Sequence, residues 1–158
     1  MRTYSRRAVA AAVLITILAG LPANVAAAPI SRSRAAHQFL RDGVPLIAAA
    51  HRFSAAAATW GNAGASTRIW SVAHPFVTAM ENYQNALLTQ SWPKFMRADV
   101  RALYQALAPV EADIDGLRDV LSLNISAWEA QFETDWTHLG ATVNIVRHDL
   151  GLKLATGY

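Results

Sequence analysis

Residues 96–121 read MRADVRALYQALAPVEADIDGLRDVL, and this stretch decides the fold class. Its apolar members are Met96, Val100, Leu103, Leu107, Val110, Ile114, Leu117 and Leu121, each four or three residues after the last in strict alternation. A helix completes a turn in about 3.6 residues, so such steps hold the side chains on one face. A half-buried strand would need alternation at every second residue, and no long segment of the chain shows it.

The same rhythm extends outward from this segment. Before it, Ile69, Ala73, Phe76, Met80, Tyr83 and Leu87 form a second stripe. After it come Ile125, Trp128, Phe132, Trp136, Leu139, Val143, Val146 and Leu150. The earliest stripe, Phe39, Leu46, Ala50, Phe53, Ala57 and Trp60, is less regular. Turn-forming residues separate the stripes: Gly61-Asn62-Ala63-Gly64-Ala65, then Thr89-Gln90-Ser91 with Pro93 opening the next helix, and finally Gly151 as a stop. Ser126 with Glu129 spells a capping box for the last helix, with a start near Ser122 or Asn124 as the alternative. Four amphipathic helices joined by short connections predict an all-α, up-down four-helix bundle with shallow crossing angles.

Pro45, Pro75 and Pro109 fall inside these helical patterns, and each is expected to kink or interrupt its helix. At Pro109 the charges suggest a fresh start, because Glu111 and Asp113 would then lie in a first turn, where carboxylates are favoured. Gly43-Val44-Pro45 likewise suggests that residues 31–42 form a separate short helix. The expected organisation is therefore a leader at 1–27, an N-terminal segment at 28–43, the bundle at 44–151 and a tail at 152–158.

The leader reads as a signal peptide. Arg2, Arg6 and Arg7 make a basic start, residues 8–21 are apolar and uncharged, and residues 22–28 are small around one proline. An apolar run of this length falls short of the roughly 20 residues that span a bilayer, so no stable membrane insertion is expected after cleavage. Ser5-Arg6-Arg7-Ala8-Val9 is similar to a twin-arginine signal, and both the general and the twin-arginine export routes stay open. The whole chain has a formal charge of +3, but three arginines depart with the leader. What remains carries eleven basic and eleven acidic side chains, which gives no reason to expect nucleic acid or an anionic membrane as partner. With no cysteine there is no disulfide framework, thiol nucleophile, thiolate metal site or lipid attachment point.

Candidate chemistry is sparse. Asp135 and His138 stand three residues apart, a spacing that places a carboxylate and an imidazole on one metal, with Glu81 and Glu111 as conceivable additions. Trp128, Phe132 and Trp136 form a ladder that, with Tyr83, either fills the bundle core or holds a ligand, haem included. Lys94, Arg97 and Arg101 share a face near a helix start and are candidates for an anion. No nucleophile elbow, phosphate-cradling loop or His-Glu-x-x-His is present, and no catalytic residue is assigned.

Two segments, Ser91-Trp92-Pro93 leading to Asp99-Val100 and Leu103, and Val146-Arg147-His148-Asp149-Leu150-Gly151-Leu152, resemble those of small exported or lipid-anchored helical proteins of actinobacteria of the mycobacterial type. The resemblance spans residues 38–152 and implies a helical fold and an envelope or extracellular location. The lipid-bearing cysteine of many such proteins is missing, so an anchor does not carry over. The expectation is a secreted, extracytoplasmic binding or interaction protein of the cell envelope, its partner an envelope protein or a small apolar ligand. The alternative is a carrier of haem, metal or a small apolar molecule inside the bundle, and an enzyme ranks third; no cofactor is expected outside the carrier reading. Cleavage after Ala27 predicts Ala28-Pro29 as the mature N-terminus, to be read by intact mass of the exported protein. A mature chain that retains residues 1–27 would refute the leader assignment.

Overall fold

A computed structural model describes the backbone over residues 30–58, 65–120 and 125–156, and the side chains over 30–58, 69–117 and 127–156. The leader, the loop after Ala58 and Trp60 lie outside the described residues. Within them the chain is all-helical, with no strand. The helices are α1 (Arg32–Ala57), α2 (Ala65–Thr89), α3 (Arg97–Val120) and α4 (Ile125–Asp149), and a short 3-10 turn at Lys94–Met96 leads into α3. No described helix is long and apolar enough to cross a membrane.

The stripes of α2 and α3 are the core. From Ile69 to Leu87 and from Met96 to Leu117, every described stripe residue is buried, with 5 % exposure at most. The stripes of the outer helices are only partly covered. Phe39 and Phe53 of α1, and Leu139 and Val146 of α4, are buried, but Leu46, Ala50, Trp128, Phe132, Trp136 and Val143 keep one side open. Close helix packing joins α1 to α2, α2 to α3 and α3 to α4. Between α1 and α4 the contact is through side chains at two levels. The Arg32 guanidinium donates to the His148 carbonyl at 3.2 Å, and the Phe53 and Phe132 rings lie 6.0 Å apart. The start of one helix thus meets the end of the other.

None of the three internal prolines interrupts its helix. This corrects two expectations: residues 31–42 are not a separate helix, and no new helix starts at Pro109. The physical reason is placement, since Pro45, Pro75 and Pro109 are all exposed. A proline removes one helix hydrogen bond, and on the solvent side water takes the place of the missing N–H. The apolar stripe meanwhile holds the helix in phase across the break. One consequence is that Glu111, Asp113 and Asp115 stand in the second half of an unbroken α3, towards the end of its dipole that disfavours carboxylates.

The turns are built by side chains that sequence spacing alone underrates. The Ser31 hydroxyl accepts from the Arg34 N–H and caps α1. At the α2–α3 turn, Trp92 is buried, and its indole N–H donates to the Leu87 carbonyl at 2.7 Å, closing the end of α2. Arg97 returns its Nε to the Trp92 carbonyl at 3.1 Å. Pro93 sits just before the 3-10 turn, one position outside the first helical turn expected for it. At the other end of the chain Gly151 has φ +72°, and the Gly151 and Leu152 amides donate to the His148 and Arg147 carbonyls at 2.9 and 2.8 Å. This paired arrangement terminates α4, and a left-handed residue is what it requires. The tail then folds back along α4, where Asn144 and Ala155 exchange two hydrogen bonds of 3.3 and 2.8 Å.

Leu103 has no exposed surface and sits mid-stripe in α3. Leu103→Ala should therefore lower stability by about 2–5 kcal/mol, measured by urea denaturation. A loss below about 1 kcal/mol would mean that the α3 stripe is not the centre of the core.

Candidate functional site

The gap between α1 and α4 is a cleft of about 570 Å³. One wall is the open side of α1, with Leu46, Ile47, Ala50 and Phe53. The opposite wall is α4, with Phe132, Trp136, Leu139 and Val143. Phe76, Tyr83 and Leu107 from the two inner helices make the floor, and Ala155 and Thr156 of the folded-back tail add to the lining. The cleft exists because the outer helices carry larger side chains than a closed seam accepts. Phe53 is braced between Phe76, at 5.4 Å between ring centroids, and Phe132, at 6.0 Å. Trp136 stands edge-on to Phe76 at 6.0 Å and stacks on Phe132 at 5.8 Å. These rings close one end of the gap and keep the backbones apart beyond it. At Gly43 a Cβ would meet the Tyr83 ring at 4.0 Å, an ordinary contact.

The aromatic residues singled out in the sequence divide between two roles. Tyr83, Phe132 and Trp136 line the cleft. Trp128 does not; it stacks on Phe132 at 5.1 Å and donates its indole N–H to the Asp113 carbonyl at 2.7 Å, joining α4 to α3. The polar side chains of the cleft are His51, Ser54, Tyr83, Arg147 and Thr156, and none had been singled out in the sequence except Tyr83. Their signal was faint, because His51, Ser54 and Arg147 flank the stripes at positions that ordinarily face water. His51 and Tyr83 are the lining residues of the types that ligate haem iron.

The other candidates lie elsewhere. Lys94, Arg97 and Arg101 are exposed on the start of α3, and Arg97 is engaged with the Trp92 carbonyl. Asp135 is half-buried and accepts from Gln131 at 2.7 Å, whereas His138 is exposed. Among the described residues no three His, Asp or Glu side chains converge on one point.

Asp135 instead meets a carboxyl that the sequence reading had placed in a helix start. Burial between α3 and α4, with a hydrogen bond and like charge from Asp135, pushes the Asp113 carboxyl up to about 6. Two similar pairs flank it. Asp99 is raised by burial and by its hydrogen bond and like charge with Asp149. Glu111 is raised by burial and by the charge of Glu81, against a hydrogen bond from Gln84. A protonated carboxyl can donate to its neighbour, which is what the Asp113–Asp135 and Asp99–Asp149 hydrogen bonds require; Glu111 and Glu81 meet through like charge alone.

Comparison with protein-family models, curated proteins and solved structures finds no match for the chain.

The direction of the Asp113 shift has a consequence for stability. Between about pH 4 and pH 6 the folded chain retains a proton that the unfolded chain has lost. Its contribution is therefore complete at the acid end and fades as the pH rises through 6. Asp113→Asn should reduce the fall in stability between pH 4.5 and pH 7 by roughly 1 kcal/mol, a modest figure because the half-buried carboxyl is screened by solvent. Urea midpoints at the two pH values test it; an identical fall in the variant would show that the proton is not held there.

Proposed function

We propose that this chain is a secreted, non-enzymatic binding protein of the cell envelope, an up-down four-helix bundle whose cleft between α1 and α4 receives a small apolar ligand. The observation that carries the reading is the cleft itself. Its volume of about 570 Å³ falls within the roughly 300–1,000 Å³ usual for ligand pockets, and its walls are aliphatic and aromatic with a few polar groups. The pairing of consecutive helices, and the meeting of the start of α1 with the end of α4, support the alternating arrangement. The basic, apolar and small-residue order of residues 1–27 supports export, and the resemblance to actinobacterial exported proteins supports an envelope location. The lack of a catalytic motif supports a binding role over an enzymatic one.

The reading belongs with the carrier alternative drawn from the sequence, with an apolar molecule as cargo. Docking of an envelope protein is the second reading. Leu40, Val44 and Ile47, all exposed, form an apolar ridge on α1 at the rim of the cleft, which Leu40 and Ile47 also line, and favour it.

Uptake of the neutral fluorophore N-phenylnaphthylamine tests the cleft directly. The exported protein should enhance its fluorescence, and Ala50→Trp, whose indole fills the space between the walls, should bind it at least about tenfold more weakly with helical content unchanged. No uptake by the unsubstituted protein would remove the apolar-ligand reading and leave protein docking on the α1 ridge.

A further inference from the structure

We propose that the occupant of the cleft is a single-chain amphiphile with a carboxylate head, held at Arg147 with its tail directed towards the aromatic end. This rests on the cleft reading above and assigns the ligand class to that site. The cleft has its ring cluster at one end and its arginine at the other, with His51 and Ser54 beside the rings and Phe39 and Tyr83 on the way to Arg147. Phe53, Phe76, Phe132 and Trp136 close one end. Arg147 lies fifteen residues further along α4, about 22 Å of helix, near the level where Arg32 meets the His148 carbonyl.

The charge of the lining is one-sided. Arg147 and His51 are its basic members, and no acidic side chain lines it among the described residues. Arg147 is half-buried, and its Nε is fixed by the Lys153 carbonyl at 2.7 Å. That bond orients the guanidinium and uses one of its five N–H donors. No carboxylate of the described residues pairs with it. A fixed guanidinium offers a planar, bidentate fit to a carboxylate, and the low-dielectric walls beside it strengthen the attraction. A neutral apolar ligand would leave this cation unused at the mouth, whereas an anionic head completes it while the tail takes the aliphatic and aromatic walls.

The test compares dodecanoate with dodecanol, which share a tail and differ in the head. Both are titrated below their aggregation concentrations into the full chain purified after export, by calorimetry. The unsubstituted protein should bind the acid about tenfold more tightly than the alcohol. Arg147→Gln should bring the acid down to the level of the alcohol and leave the alcohol unchanged. Arg147→Lys, which keeps the charge but loses the Nε bond to the tail, should retain a preference for the acid. That separates recognition of the head from anchoring of the tail. Equal binding of acid and alcohol by the unsubstituted protein, or a preference that survives in Arg147→Gln, would overturn the carboxylate assignment while the apolar cleft stands. Failure of both ligands together with the neutral fluorophore would overturn the cleft reading as well.

Discussion

Phe53 is seated between Phe76 of α2 and Phe132 of α4, and the shape of the molecule depends on that contact. It is where the outer helices are joined side chain to side chain at their aromatic end. The inner helices need no such help, because their stripes are covered from end to end over the described residues. A chain that bridges its last seam with aromatic rings cannot also bring the two backbones together there. The space left beyond the rings is the cleft, so its existence and the packing of the core have one cause.

Two segments quoted from the sequence acquire a physical meaning in the fold. Ser91-Trp92-Pro93 is the turn in which a buried indole satisfies the carbonyl of Leu87 and Arg97 braces the backbone of Trp92. The segment from Val146 to Leu152 holds the left-handed Gly151 and the paired amide bonds that stop α4. Both are devices for ending helices. They restrain how the chain folds and say little about what it binds. The second segment has a further effect, because the reversal at Gly151 brings Lys153 back to Arg147 and lays Ala155 and Thr156 beside the cleft.

The acids of α3 show how tertiary packing reassigns a local pattern. Read alone, Glu111 and Asp113 after Pro109 look like the start of a helix. In the folded chain the helix runs through, and these carboxyls face Glu81 and Asp135 across interfaces that exclude part of the solvent. Asp99 and Asp149 repeat the arrangement at the other end of the α3–α4 interface. These raised carboxyls lie on the seams of the helices, away from the lining of the cleft.

By itself the sequence determined that the chain is helical, where most helices lie, and which face of α2 and α3 is buried. That information is local, because steps of three and four residues place side chains on one face whatever the neighbours do. It also singled out Tyr83, Trp128, Phe132 and Trp136, of which the fold brings all but Trp128 to one cleft. Only the tertiary structure decided that the prolines at 45, 75 and 109 sit on solvent faces and leave the helices whole. It alone opened the seam between α1 and α4, and set Arg147 at one end of that seam and a cluster of rings at the other. The reason is that a cleft is a mismatch between two helices far apart in the chain, and a periodicity within one helix holds no record of the distance to another.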